Sequence, residues 1–100
     1  MVITAPDGEW AEQITRELIE HKLVARGHQF QIQATYTWQG KTESNAETRV
    51  ALHTRQELVD QISSYIVERH PYDVPCVIAL PILAATDAYH HWVTDVTTRP

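Results

Sequence analysis

The sequence predicts an α+β domain: a four-stranded antiparallel sheet with two helices on one face, one very long hairpin, and a short C-terminal helix. Three observations carry this. Phe30, Ile32, Ala34, Tyr36 and Trp38 alternate strictly with Gln29, Gln31, Gln33, Thr35, Thr37 and Gln39, the period of a strand with one buried face. Apolar residues recur at three- and four-residue spacing around Trp10–Leu18 and Leu58–Ile66, which marks two amphipathic helices. His70-Pro71-Tyr72-Asp73-Val74-Pro75-Cys76 must stop the second helix, because prolines four apart cannot sit inside one.

Taken in order, Val2-Ile3-Thr4 is a short strand closed by Pro6-Asp7-Gly8. Asp7 is suited to cap the following helix, and Glu9 falls in its first turn, where the helix dipole favours an anion. Trp10, Ile14 and Leu18, with Ala11 beside them, form the apolar stripe; Glu12, Gln13, Arg16, Glu17 and Glu20 take the wet side. This helix is expected to run to Leu23 or Val24, with Gly27 ending the region.

The alternating strand then turns at Gln39-Gly40-Lys41, where glycine supplies positive φ. It returns over Thr42 to His53, with Ala46, Thr48, Val50 and Leu52 on one face. Both arms exceed the roughly five or six residues usual for a strand. Their far end overhangs a 100-residue domain, so neighbouring subunits are expected to cover it.

Thr54-Arg55-Gln56-Glu57 has the form of a capping box. Leu58, Val59, Ile62, Tyr65 and Ile66 give the second helix. The run Val77-Ile78-Ala79-Leu80-Pro81-Ile82 reads as a buried strand. Thr86 or Asp87 then caps a short helix carrying Tyr89, Trp92, Val93 and Val96. The order is that of the split βαβ, or ferredoxin-like, arrangement.

Composition narrows the function. One hundred residues make one domain, residues 1–100. With 43% apolar and 21% charged residues the chain has the balance of a soluble globular protein. Net charge is −5 and the 8 basic residues form no stripe, which argues against nucleic acid and against an anionic membrane surface. No apolar run approaches the roughly 20 residues of a membrane helix. No charged-then-apolar leader is visible, and a single Cys allows no internal disulfide; a cytoplasmic location is therefore expected.

Several motifs resemble one family. Tyr36-Thr37-Trp38-Gln39-Gly40-Lys41 is similar to the Y-x-W-x-G-K hairpin tip of the CutA divalent-cation tolerance proteins, and His70-Pro71-Tyr72-Asp73-Val74-Pro75 to their H-P-Y-x-x-P. Thr4-Ala5-Pro6-Asp7, Lys22-Leu23-Val24-Ala25 and the pair Tyr89, Trp92 resemble further family positions in the same order. The resemblance implies a tight homotrimer interlocked through the hairpins, a tolerance of divalent metals and copper especially, and no agreed catalytic activity. It also implies a trimeric plan shared with PII-like signalling proteins. Departures accompany it: Arg26 stands where many members carry Cys, Cys76 where Glu is usual, and Asn45 where a carboxylate is common.

No cofactor is required on this reading; copper or another divalent cation is the candidate ligand. His70 and Cys76, with Glu47 in support, are the candidate metal residues, since imidazole and thiolate suit copper or zinc. The competing account is structural, with Cys76 a small buried hydrophobe and His70 a residue favoured at a helix C-terminus. Tyr36, Trp38, Lys41, Tyr72, Tyr89 and Trp92 are candidates to line an intersubunit pocket of the PII-like kind; the competing account is packing across a trimer seam. His90 and His91 point about 100° apart on a helix and do not converge. His21, His28 and His53 lie in separate segments and are read as structural or solvated, with a His28–His53 proximity across the hairpin base the competing account. No nucleophile–base motif or phosphate loop is legible, so the chain is read as not an enzyme.

Overall fold

The computed structural model of the chain describes residues 1–98. Strand β1 (Val2–Ala5) leads into helix α1 (Gly8–Glu20), and strands β2 (Arg26–Trp38) and β3 (Lys41–His53) form the hairpin. A 3-10 turn (Gln56–Leu58) opens helix α2 (Val59–Arg69), and strand β4 (Val77–Ile78) and helix α3 (Asp87–Val96) complete the order. The sheet runs β2-β3-β1-β4 with every neighbour antiparallel, the expected split βαβ topology.

One face of the sheet holds the core. Ile3 and Ala5 of β1 pair with Val50 and Thr48 of β3, and Leu52 continues the row. Ala11, Ile14 and Leu18 of α1 and Ile62 and Ile66 of α2 cover it. Both helices therefore lie on that face, as the periodicity requires. Gly27 fits here because a Cβ would meet the Thr15 methyl at 2.7 Å and Leu52 at 3.2 Å. Its role is close packing of β2 on α1, not the ending of a helix as expected. Thr48, fully buried in this row, has a hydroxyl with no hydrogen-bond partner.

Helix α1 begins as predicted, with the Asp7 carboxylate accepting from the Trp10 N–H at 2.8 Å. It ends three or four residues early, at Glu20. Lys22 takes φ of 59°, and the N–H groups of Lys22 and Leu23 donate to the carbonyls of Ile19 and Leu18. This is the Schellman arrangement, in which a left-handed residue closes the helix and an apolar residue beyond it packs back. Leu23 and Val24 are apolar because the core needs them, not because the helix continues. The capping box also fails to form. Thr54 donates its hydroxyl to the Leu23 carbonyl, serving a backbone oxygen left over by that turn, while Arg55 stands at the N-cap with no side-chain cap bond.

The register also corrects the reading of the hairpin. Ile32 pairs with Glu47 and Phe30 with Arg49, whereas Val50 pairs with Gln29 and Thr48 with Gln31. Directly paired residues share a face. The even residues of β2 therefore lie on the face away from α1 and α2, opposite Thr48, Val50 and Leu52. The predicted buried face is not buried by its own chain: Phe30 is 50% exposed, Tyr36 40% and Trp38 39%. Ala46, beyond the reach of the helices, is exposed as well.

The expected buried strand over 77–82 is reduced to Val77 and Ile78, paired with Ile3 and Val2. Short β1 accepts nothing further from this run, and Pro81 lacks the N–H to extend a ladder. Leu80 and Ile82 are exposed, and Leu83 is 102% exposed. Among the described residues no helix is long and apolar enough to cross a membrane.

Candidate functional site

Two clusters of chemistry-bearing side chains form on the sheet face opposite α1 and α2, where α3 reaches only the base of the hairpin. The first surrounds Glu47, which is buried in mid-strand. Tyr72, delivered by the bend after α2, brings its hydroxyl to this carboxylate. Burial, a hydrogen bond to Glu47 and the charges of Glu47, Tyr36 and Asp7 push the Tyr72 hydroxyl up to about 12, because each opposes a second negative charge. Asn45 Nδ2 donates to the Tyr36 hydroxyl at 2.8 Å. Sequence reasoning named Tyr36, Glu47 and Tyr72 and noted Asn45 as a departure; it read Asp7 only as a helix cap, and it placed neither Asp7 nor Asn45 beside these tyrosines.

His70 anchors this cluster from behind. Its Nδ1 accepts from the Tyr72 backbone N–H at 3.1 Å, so Nε2 carries the proton and donates to the Thr4 carbonyl at 2.8 Å. The ring lies 4.8 Å, centroid to centroid, from both Trp10 and Tyr72. Both nitrogens are committed and the ring is buried. Cys76, expected by the competing account to be buried, is exposed and free. His70, Cys76 and Glu47 thus do not converge within one chain, and the described residues contain no group of three or more His, Cys, Asp or Glu able to hold a metal.

The second cluster lies at the base of the hairpin. His28 and His53 meet edge to face, 5.3 Å between centroids and 85° between planes. His53 Nδ1 is 2.5 Å from the Tyr89 hydroxyl. The Arg26 guanidinium sits over Tyr89 at 5.6 Å and Trp92 at 5.2 Å, a cation–π arrangement. Burial foremost, then the positive charges of His28, the amino terminus and Arg26, holds His53 below the ordinary imidazole value.

The six residues proposed for one pocket occupy three places in a single chain. Tyr36 and Tyr72 belong to the first cluster, Tyr89 and Trp92 to the second, and Trp38 pairs with Lys41 at the hairpin tip. Twelve residues of strand, roughly 40 Å, separate the tip from the base. A wide groove of about 1290 Å³ runs between residues 79–85 and the start of α2; Tyr89 alone of the six lines it.

The family pattern described as CutA1 divalent ion tolerance protein matches residues 1–96. The chain belongs to this family. A divalent-cation tolerance protein CutA of Pyrococcus horikoshii is 33% identical over 96 residues, covering 96% of this chain and 94% of the relative. The mouse protein CutA is 35% identical over 96 residues, but this chain spans only 54% of its length. Among solved structures, the periplasmic divalent cation tolerance protein CutA of Archaeoglobus fulgidus superposes with a TM-score of 0.95 at 32% identity, covering 97% and 95% of the two chains. CutA1 of Oryza sativa gives 0.93 at 32% identity over 99% and 92%. The family resemblance read from the sequence is therefore correct, and the comparisons favour it over the PII-like alternative.

Proposed function

We propose that this CutA family chain is a homotrimeric, non-catalytic protein of divalent-cation tolerance that binds copper or a related cation weakly and works in the cytoplasm. The observation that carries the reading is the likeness to cation-tolerance relatives across the whole described fold, at a TM-score of 0.95. Trimer formation draws support from Phe30, Tyr36 and Trp38, which present an exposed apolar strip on the face away from α1 and α2. The reducing compartment is supported by Cys76, exposed and unpaired. The absence of catalysis rests on what the relatives are called, tolerance proteins rather than enzymes.

Calorimetric titration of the metal-free protein with Cu2+ and Zn2+ tests the reading. Saturable heat at micromolar to millimolar cation is the expected result, and no heat with either ion contradicts it. Parallel titrations of His70→Ala and Cys76→Ser test the ligand set read from the sequence. With both His70 nitrogens bonded, a role in binding would require the ring to leave Thr4 and Tyr72, so a loss of affinity in His70→Ala must be checked against its fold by circular dichroism.

A further inference from the structure

We propose that the base of the hairpin is a pH-sensitive clasp for helix α3. It holds the helix while His53 is neutral and releases the N-terminal half of it when His53 takes up a proton in mildly acid solution. The contacts involved lie within one chain, so the clasp rests on neither the cation reading nor the trimer.

Helix α3 depends on few attachments. None of its residues is buried, and the run 79–86 that leads into it is exposed and without regular structure. Just beyond its C-terminal end Thr97 is buried. Arg55 holds that residue, donating from Nε to the Thr97 hydroxyl and from Nη2 to the Thr97 carbonyl, both at 2.8 Å. An arginine keeps its charge at any ordinary pH, so this end stays fixed. Towards the other end the attachments are the Tyr89 hydroxyl at 2.5 Å from His53 Nδ1 and the Arg26 guanidinium on the Tyr89 and Trp92 rings. The helix is thus pinned at one end by a permanent cation and clasped at the other through an imidazole.

The clasp is set among positive charge. From β2, Arg26 and His28 act on His53, the His28 ring at 5.3 Å. The Met1 amino group adds its charge from the start of the chain, and Tyr89 meets the ring from α3. Arg55, Glu57, Asp87 and His90 line the groove beyond, where Glu57 is taken up by Arg55 at 3.0 Å. Among the described residues no carboxylate forms an ion pair with Arg26, His28 or His53.

A neutral His53 with its proton on Nε2 accepts the Tyr89 O–H. A second proton, on Nδ1, turns that hydroxyl from donor to acceptor. It also sets a new cation beside Arg26 and the Met1 amino group with no counter-charge. Swinging α3 away admits water to the ring and lets Arg26 move off. Burial foremost, then the neighbouring positive charges, holds His53 below the ordinary imidazole value, so docking favours the neutral ring. The attachment is therefore complete above about pH 6.5 and weakens as pH falls below it. Release removes one wall of the groove of about 1290 Å³ and frees the inner side of Tyr89.

Hydrogen–deuterium exchange of the whole protein tests the clasp, read on peptides of α3 and of α1 at about pH 7.5 and about pH 5.5 and corrected for the intrinsic pH dependence of exchange. Wild type and His53→Gln are compared, because a glutamine can still accept the Tyr89 hydroxyl but takes no charge. In wild type, α3 protection is expected to fall about threefold or more at the lower pH while α1 protection holds. His53→Gln is expected to abolish that fall. Equal α3 protection at both pH values in wild type overturns the clasp. So does a fall shared equally by α1, which is acid unfolding of the whole chain, or a fall that His53→Gln leaves intact. Should His53→Gln be open already at the higher pH, proton NMR of the wild-type imidazoles decides. Opening of α3 in step with the His53 titration then supports the clasp, and opening at a different pH overturns it.

Discussion

Tyr72 brings a phenol beside the carboxylate of Glu47, and the consequence is readable in alkali. Burial and that carboxylate raise the folded-state value from the ordinary 10.0 to about 12, although the ring remains more than a third exposed. The native chain therefore holds this proton more tightly than the unfolded chain. By linkage the associated stability is complete below about pH 10 and is lost as pH rises toward 12. Ultraviolet titration of the four tyrosines is expected to show a last ionisation near 12 that Tyr72→Phe removes; an unchanged curve contradicts the placement beside Glu47. The sequence made His70, Tyr72 and Glu47 visible as chemistry-bearing residues. It could not show that His70 spends both nitrogens on backbone groups, because the Thr4 carbonyl lies 66 residues away and no local pattern encodes that distance.

Elements with a strong period were legible, and those closed by a special backbone were not. Thirteen residues of β2 and thirteen of β3 pair without interruption from Arg26↔His53 to Trp38↔Lys41, as alternation and Gly40 predict. The end of α1 was misplaced because Lys22 fills a left-handed position that glycine usually marks. A lysine there carries a steric cost of its Cβ that glycine does not. Lys22→Gly is therefore expected to stabilise the fold by about 0.5–1 kcal/mol, seen as a higher urea midpoint with unchanged slope at equal chain concentration. A lower midpoint would contradict the cap. The stretch 77–82 was read as a buried strand because an apolar run has the same appearance whether its own chain or another covers it.

The whole molecule is larger than its mass requires. It exposes 6726 Å², against roughly 5,800 Å² for a compact chain of this mass. Its radius of gyration is 14.4 Å, against about 13 Å for 100 residues. The excess area is comparable to the roughly 800 Å² that one partner buries in an ordinary stable interface. It arises from the hairpin, which spans nearly the full 46 Å of the long axis, and from the apolar residues Leu80, Ile82 and Leu83. The overhang inferred from strand length alone is thus present in the fold, and the register adds which face is left bare.

Multi-angle light scattering of the purified protein at micromolar concentration tests the proposed trimer, in which other copies cover the bare hairpin face. A single species of three times the 11.5 kDa chain mass is expected. A single species at 11.5 kDa, with Phe30 and Trp38 left in water, would contradict it.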